Sequence, residues 1–291
     1  MQRKKLLSMT SLLICILMIF TAFLFTGCDK TGTNGSEQPN STSQNGNNGE
    51  QIIDTMTKVK DSGKLVLGTS ADYPPYEFHK LIDGKDKIIG FDIDLAQAIA
   101  DELGVTLEIR DMDFGGLLIA LDEGKVDLVI AGMTPKPERL EQADFTKIYY
   151  IAAQGVMVRA EDKDKYKTAA DLKGRKVGAQ LGAIQEDIAK EQIEGSEVKA
   201  LGKVSDLVLE LKNKKVDALV MELPVANAYI KANSDLALSD IEVVDDTGGS
   251  AIAVAKGNAE FVEKLDSILD DLMNSGKIDD FVAEAIIQVE N

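Results

Sequence analysis

The chain has 291 residues and a formal net charge of −17 at pH 7, from 49 acidic and 32 basic residues. This length suits about two domains, and a hydrophobic content of 44% is ordinary for a globular core. The excess of acidic side chains argues against nucleic acid as a partner, because phosphate binding needs a basic face.

The first 27 residues have the pattern of an export signal. A basic start at residues 3–5 precedes a mostly apolar run, 6–26, which ends at Thr26-Gly27-Cys28. This junction resembles the cleavage site of bacterial lipoprotein precursors, so it predicts a signal peptide over 1–27 and lipidation of Cys28. The alternative is an uncleaved membrane helix, since a run of about 20 residues could span a bilayer. Either would export the rest of the chain and hold it at a membrane.

Residues 28–50 are predicted to form a disordered tether. Residues 29–50 carry no large apolar residue and consist mainly of Gly, Ser, Thr, Asn and Gln, which cannot bury enough surface to fold. Cys15 and Cys28 are the only cysteines, and Cys15 would leave with the signal. The exported part therefore has no disulfide and no cysteine pair for zinc. The single histidine, His79, is expected in an exposed loop, so no metal site is predicted.

From about residue 51 the sequence alternates strand and helix patterns. The first half predicts strand 64–69, helix 92–103 with Asp92 as its N-cap, strand 105–109, helix 117–121 and strand 126–131. The second half predicts strand 176–179, helices from 184 and over 204–211, strand 216–221, a helix from 224, strand 251–255 and helices 261–273 and 278–289. Strand 126–131 is nearly all apolar, which is typical of a parallel sheet covered on both faces.

One unit of this pattern occurs twice. Residues 118–130 align without gaps on residues 208–220, with Lys-Val-Asp at 125–127 matching Lys-Val-Asp at 215–217. Each copy reads as a helix followed by a buried strand whose end leads into polar or flexible residues. Open α/β sheets bind ligands at such strand ends. The repeat therefore predicts two α/β lobes that hold one ligand in a cleft between them.

Two aromatic and two charged residues stand where predicted strands end. Tyr73 and Phe114 could hold the apolar part of a ligand, although either ring could instead cap the core. Arg139 follows a Pro-Lys-Pro-Glu turn, and an isolated arginine is most often a surface charge. Glu222 continues a buried strand, so its carboxylate needs a partner. An arginine on one lobe and a glutamate on the other would suit a zwitterion.

Several motifs in order give the chain a family resemblance. Residues from about 60 to 285 resemble the solute-binding proteins of polar amino-acid ABC importers, family 3, of the type II periplasmic-binding-protein fold. The motifs are Gly90-Phe-Asp-Ile-Asp-Leu95, Asp113-Phe-Gly-Gly, Ala131-Gly-Met-Thr-Pro-Lys-Pro-Glu-Arg139, Gln180-Leu-Gly-Ala-Ile-Gln-Glu186 and Met221-Glu222. The resemblance implies two lobes, each a central β-sheet flanked by helices, which close on a ligand.

The resemblance also implies a carboxylate subsite. Arg139 is expected to hold the α-carboxylate of the ligand, with the hydroxyl and backbone of Thr134 and the carbonyl of Gly132 beside it. The backbone N–H of Ile184 is expected to reach the same carboxylate from the second lobe. Many relatives have Ser or Thr where this chain has Ala183-Ile184, so a side-chain hydroxyl is missing here.

The rest of the implied site holds the ammonium group and the side chain. Glu222, where aspartate is commoner, is expected to bind the α-ammonium, while Tyr73 and Phe114 stack on the side chain. Ser70 is expected at the side-chain end. Ser70 is neutral and Gln180 and Gln185 are amides, which favours a polar, uncharged ligand such as glutamine. Asp72, Glu77 and Asp113 lie nearby in sequence and keep arginine or lysine close behind.

The sequence therefore predicts a lipid-anchored, extracytoplasmic binding protein that delivers a polar L-amino acid to the membrane subunits of an ABC permease. A monomer without cofactor or catalytic residues is expected. Lobe 1 is predicted over 51–150 and 248–291, and lobe 2 over 151–247. The alternatives are a periplasmic enzyme on the same fold, resembling cyclohexadienyl dehydratase, and a ligand-sensing module.

Overall fold

The computed structural model describes residues 54–246 and 248–290. The predicted signal peptide (1–27), its Cys28 and the predicted tether (28–50) lie outside these residues and stay predictions. Up to residue 150 the helices and strands are α1 (Thr55–Ser62), β1 (Lys64–Thr69), β2 (Asp72–Tyr73), β3 (Glu77–Ile82), β4 (Lys85–Ile89), α2 (Phe91–Leu103), β5 (Thr106–Asp111), α3 (Leu117–Asp122), β6 (Leu128–Val129), α4 (Pro137–Gln142) and β7 (Ala143–Tyr150).

The remaining elements follow the same alternation. They are β8 (Gln154–Arg159), β9 (Lys176–Gln180), α5 (Ile184–Gln192), β10 (Glu197–Leu201), α6 (Val204–Lys212), β11 (Ala218–Glu222), α7 (Leu223–Ala232), β12 (Leu236–Leu238), β13 (Ser250–Ala255), α8 (Ala259–Asn274) and α9 (Lys277–Glu290). Short 3-10 helices span Phe114–Gly116, Ala160–Asp162 and Ala169–Leu172. All the helices and strands predicted from the sequence are present, although strand 126–131 shortens to β6.

Two five-stranded sheets organise the molecule, and each is the centre of one lobe. The sheet of the first lobe has the order β5-β1-β6-β13-β7, and that of the second lobe has the order β10-β9-β11-β8-β12. In the first sheet β1 pairs in parallel with β5 and β6, and β13 runs antiparallel. In the second sheet β9 pairs in parallel with β10 and β11, and β8 runs antiparallel. The predicted two-lobe α/β fold is confirmed.

The repeated sequence unit occupies equivalent places in the two sheets. Helix α3 leads into β6 beside β1, and α6 leads into β11 beside β9. The chain leaves the first sheet after β7 and returns to it at β13, so two segments connect the lobes. The exact lobe boundaries given above remain a prediction.

Helix α2 begins at a position that only glycine can occupy. Gly90 has φ of +127°, and a Cβ there would lie 2.2 Å from the backbone oxygen of Tyr76. The helix starts at Phe91, one residue before the predicted N-cap, and no side chain caps it. The N-cap assignment of Asp92 is wrong because its carboxylate is buried in the cleft region, where it accepts hydrogen bonds from the Gly132 N–H and the Tyr149 hydroxyl.

A small antiparallel sheet, β2-β3-β4, precedes α2 and was not predicted. It places Tyr73 opposite Glu77, so both residues lie at the same end of the sheet. His79 lies on β3 rather than in a loop, with its Nδ1 2.8 Å from a carboxylate oxygen of Asp86. Among the helices of the described residues, none is long and apolar enough to cross a membrane.

Candidate ligand-binding cleft

A cavity lies between the two lobes, at the carboxyl ends of their parallel strands. It is small in the closed structure and is lined by Tyr73, Phe114, Ala131, Gly132, Thr134, Arg139, Gln180, Ala183, Ile184 and Gln185. Seven of the nine residues predicted for the site are in this lining. Ser70 and Glu222 are not, although both are buried beyond Tyr73. The location agrees with the rule that open α/β sheets bind ligands at their strand ends.

Arg139 carries a positive charge into this cavity. Its side chain is buried in α4, and two of its N–H groups donate to the backbone oxygens of Thr134 and Gly182 at 2.8 Å each. The guanidinium carbon lies 5.1 Å from the centre of the Phe114 ring. Within the part of the chain that the structure describes, no carboxylate forms an ion pair with it. Burial lowers the pKa of Arg139 to about 10, and its remaining donors suit a ligand carboxylate.

The second lobe adds a helix terminus to this charge. Helix α5 begins at Ile184, next to the cavity, and its N-cap residue Ala183 provides no side-chain cap. The first backbone N–H groups of a helix have no intrahelical acceptor and attract anions. Arg139 and the start of α5 therefore bring donors from both lobes to one cavity, an arrangement whose chemistry suits an anionic group.

Tyr73 separates this cavity from a second group of polar residues. Its hydroxyl oxygen lies 3.4 Å from the backbone nitrogen of Glu222 and 3.4 Å from Nε2 of Gln185. The same Gln185 nitrogen donates to Oε1 of Gln154 at 3.1 Å. Tyr73 thus connects β2 of the first lobe with the end of β11 and the start of α5 in the second.

Four carboxyl groups lie behind Tyr73, and we call them the carboxyl cluster: Asp72, Glu77, Asp92 and Glu222. Glu77 is 1% exposed, Asp92 0% and Glu222 4%. Both carboxylate oxygens of Glu77, Oε2 of Glu222 and Oδ1 of Asp72 are buried without a hydrogen-bond partner. Such groups cost free energy unless a ligand satisfies them.

Burial raises the pKa values of this cluster, and the groups act on one another. The pKa of Glu222 rises to about 8 and that of Asp92 to about 7, in both cases chiefly through burial. Burial, and then the charges of Asp92 and Asp72, hold the pKa of Glu77 well above its usual range. Such shifts are concentrated at functional sites.

The sequence identifies Glu77 only as an acidic residue near the predicted side-chain end, and it predicts Asp92 to be a helix cap. The position of Glu77 could have indicated a place in the site, because Glu77 lies only four residues after Tyr73 and directly follows Tyr76. Ser70 is also buried, and its hydroxyl oxygen has no hydrogen-bond partner.

Direct contacts hold the two lobes together on either side of the cleft. Lys136, the N-cap residue of α4, reaches Asp187 of α5, with 2.7 Å between Nζ and Oδ2. On the other side, Oδ2 of Asp72 accepts from the backbone N–H of Ser205 at 2.9 Å, and the Tyr229 hydroxyl donates to the Asp72 backbone oxygen at 2.8 Å. The structure therefore shows a closed cleft.

Other kinds of site receive no support within the described residues. No group of three or more His, Cys, Asp or Glu side chains there is arranged to hold a metal ion. The chain has one histidine, His79, which lies on the small sheet at an exposed position, with its ring nitrogens beside Asp86 and Asp111. A Ser-His-Asp triad is therefore not formed in this cleft.

Comparison with known proteins gives the family. Residues 65–285 match the bacterial extracellular solute-binding proteins, family 3. The arginine-binding extracellular protein ArtP of Bacillus subtilis strain 168 is 40% identical over 221 residues, which cover 74% of this chain and 83% of ArtP. A similar solved structure is that of AbpA, an amino acid ABC transporter substrate-binding protein from Streptococcus pneumoniae Canada MDR_19A bound to L-arginine. Its superposition on this chain has a TM-score of 0.78 and 37% sequence identity, and it covers 81% of this chain and 99% of AbpA.

A third relative bears on the enzyme alternative. The ancestral amino acid-binding protein AncCDT-1, a precursor of cyclohexadienyl dehydratase, has a TM-score of 0.71 and 33% identity, covering 80% of this chain and 99% of AncCDT-1. The family match spans the strands of both lobes and every residue that lines the cavity. The resemblance inferred from the motifs is confirmed: this chain belongs to the bacterial extracellular solute-binding proteins of family 3.

Proposed function

We propose that this protein captures a polar L-amino acid outside the cytoplasm and delivers it to an ABC permease, and that the amino acid is arginine. The observation that carries the proposal is the opposite charge at the two ends of the site. A buried guanidinium, Arg139, lacks an anionic partner among the described residues, and the buried Glu77 lacks a hydrogen-bond donor at both oxygens.

The proposed binding mode uses each charge once. Arg139 and the first N–H groups of α5 bind the α-carboxylate, and Glu222 binds the α-ammonium. Tyr73 and Phe114 hold the methylene chain of the ligand between their rings. The guanidinium of the ligand points into the carboxyl cluster and donates to Glu77, with Ser70 and Gln180 nearby. Guanidinium and carboxylate groups are geometrically matched for paired hydrogen bonds.

Glu77 changes the preference that the sequence alone suggested. Neutral Ser70 and Gln180 favoured a glutamine-like ligand, but a buried carboxylate with two unpartnered oxygens favours a cation. The arginine named for ArtP and bound to AbpA supports the same choice. Glutamine and lysine remain the ligands to test against it.

The proposal includes the predicted lipid anchor at Cys28, the monomeric state and the lobe boundaries 51–150, 151–247 and 248–291. In this arrangement the signal peptide is removed, and residues 28–50 connect the lipid to the lobes. Export is consistent with the extracellular family to which the chain belongs.

A second candidate is an enzyme on the same fold, because AncCDT-1 is the precursor of a dehydratase. A buried carboxyl group whose pKa is raised could donate a proton as a general acid. Glu222, with a pKa of about 8, is the group to which this role would fall. Turnover of a cyclohexadienyl acid by the purified protein, lost in Glu222→Gln, would support catalysis over transport.

The test of the proposed function is calorimetry of the purified lobes (51–291) with arginine, lysine, histidine and glutamine. We expect arginine to bind most tightly. Glu77→Gln should reduce arginine affinity far more than glutamine affinity, since it removes a charge without removing the shape. Glu260→Gln, an exposed residue at the start of α8, is the matched control. Tight glutamine binding with no arginine signal would contradict the arginine assignment.

A further inference from the structure

The carboxyl cluster contains more acid than its surroundings can neutralise. Within the described residues, Glu77, Asp92 and Glu222 form no ion pair with a lysine or an arginine. Asp72 is influenced by Lys203, and its Oδ2 accepts from the N–H and the hydroxyl of Ser205. The donors to Asp92, the Gly132 N–H and the Tyr149 hydroxyl, are neutral.

Glu77 lies at the centre of this group. Glu77 interacts electrostatically with titratable groups on four neighbouring elements. They are Asp92 of α2, Asp72 and Tyr73 of β2, Tyr149 of β7 and Glu222 of β11. All of them are acids, so each one that ionises opposes the ionisation of the others. Neighbouring carboxyl groups in a desolvated site cannot all be ionised at the same time, because their negative charges repel one another strongly there. The carboxyl cluster must therefore keep protons on some of its groups near neutral pH until a cation reaches it.

The hydrogen bonds show which carboxylate is best placed to be ionised. Asp92 accepts from the Gly132 N–H at 2.9 Å and from the Tyr149 hydroxyl at 2.8 Å, and both donors favour its charged form. Glu77 has no donor at either oxygen. A proton held by Glu77 can point towards Asp92, so the two groups titrate as a coupled pair.

We propose that binding of a cationic amino acid expels protons from the carboxyl cluster, so that the ligand's positive side chain replaces them. The inference rests on the proposed function, because it requires a ligand that brings a cation to Glu77. The protons leave Glu77 and its neighbours for the solvent, and the guanidinium then neutralises the carboxylates that remain. The only bonds that break are the O–H bonds of the carboxyl groups, whose protons pass to water or buffer.

Proton release makes selectivity depend on pH. A deprotonated cluster attracts a cation, whereas a protonated cluster is neutral, lacks that attraction and can still donate hydrogen bonds to a neutral amide. The preference for arginine over glutamine should therefore increase with pH. Arginine and glutamine share the same α-carboxylate and α-ammonium groups, so the difference between them isolates the side-chain end of the site.

The experiment is calorimetry of arginine binding to the wild-type lobes in buffers with different ionisation enthalpies, at one pH near neutrality. We expect release of about one proton for each arginine bound, and arginine affinity that falls by up to about tenfold for each pH unit of acidification between about pH 8 and about pH 6. Glutamine, if it binds, should release markedly fewer protons. In Glu77→Gln the proton release should shrink, whereas Glu260→Gln should leave it unchanged.

The outcomes separate the inference from the proposed function. Arginine binding whose heat is independent of the buffer would overturn the inference and leave the proposed function intact. Binding of glutamine alone, or of none of the amino acids, would overturn both the arginine assignment and the inference. Because the main measurement uses the wild-type chain, a folding defect in Glu77→Gln would not prevent a decision.

Discussion

Lys136 and Asp187 join the two lobes across the mouth of the cleft, with 2.7 Å between Nζ and Oδ2. Lys136 also lies 2.8 Å from Glu138 in its own helix, so one ammonium group serves both lobes. The contact stands three residues from Arg139, which itself donates to the Gly182 backbone oxygen of the second lobe. The side chain proposed to bind the ligand carboxylate therefore stands beside a side chain that joins the lobes, both at the start of α4.

Lys136→Met should shift the protein towards the open state and weaken ligand binding modestly. Asp187 is 47% exposed at its side chain, and exposed ion pairs contribute about 0.2–1 kcal/mol. We expect affinity to fall by about fivefold or less. Lys190→Met is the control because it breaks a pair of the same length, Lys190–Glu186, inside α5 alone. Equal effects of the two variants would contradict a role for Lys136 in closure.

Arg139→Ala should weaken the binding of every amino-acid ligand, whatever its side chain. Loss of one member of a desolvated charge pair typically costs about 2–5 kcal/mol, which corresponds to about 30-fold or more in affinity. Titration calorimetry with arginine and glutamine measures both losses. Arg175→Ala, at an exposed position of the second lobe, should have no effect. Unchanged affinity in Arg139→Ala would remove the carboxylate subsite from the proposal.

The ligand-free protein should lose stability as pH rises above about pH 5. The folded state raises the pKa values of Glu77, Asp92 and Glu222, so it binds more protons than the unfolded chain up to about pH 8. The free energy of unfolding then falls with pH, by about 1.4 kcal/mol per pH unit for each proton involved. Denaturant unfolding at several pH values measures this slope.

Glu77→Gln should make the free energy of unfolding fall less steeply with pH, because it removes one of the buried carboxyl groups whose pKa is raised. Glu260→Gln should keep it, since this residue is exposed. If the free energy of unfolding of the ligand-free wild type instead rose from about pH 5 to about pH 8, the folded state would not raise the pKa values of these carboxyl groups. That result would contradict the effect expected from their burial.

Ligand binding should draw the lobes together. Arg139 belongs to the first lobe and Glu222 ends a strand of the second, so a ligand that contacts both must bridge them. Small-angle scattering of the lobes should give a smaller radius of gyration with saturating ligand than without it. An equal radius in both states would mean that the closed cleft is already the resting form.

Cys28→Ala should abolish lipidation of the exported protein. The expected products are an uncleaved precursor or a protein cut elsewhere and released from the membrane. Mass spectrometry and membrane fractionation of cells that express each form provide the measurement. Unchanged mass and membrane retention would instead identify the apolar run 6–26 as an uncleaved anchor.

Much of the fold follows from local patterns in the sequence. The alternation of helices and buried strands, the repeat of 118–130 in 208–220, and the motif around Arg139 were enough to predict two α/β lobes with a cleft. These features are local because hydrophobic periodicity and turn residues act within one element. The small sheet β2-β3-β4 was not predicted, since its strands mix charged and apolar residues without a clear period.

The carboxylate end of the site was also accessible from sequence. Seven of the nine predicted residues line the cavity, including Phe114, Thr134 and Ile184. Each stands shortly after a predicted strand or at the start of a predicted helix. Position in the predicted elements pointed to Tyr73, Phe114 and Arg139, whereas Gly132, Thr134, Gln180 and Ile184 were implied by the family resemblance.

Only the tertiary structure decided the rest. Asp72, Glu77 and Asp92 come from one stretch of the chain, but Glu222 is more than a hundred residues away, and only lobe closure puts all four behind Tyr73. The sequence shows that Glu77 is acidic; it does not show that both oxygens are buried without a donor. Desolvation and the pairing of distant groups fix the protonation of a carboxyl, and both are properties of the packed molecule rather than of its sequence.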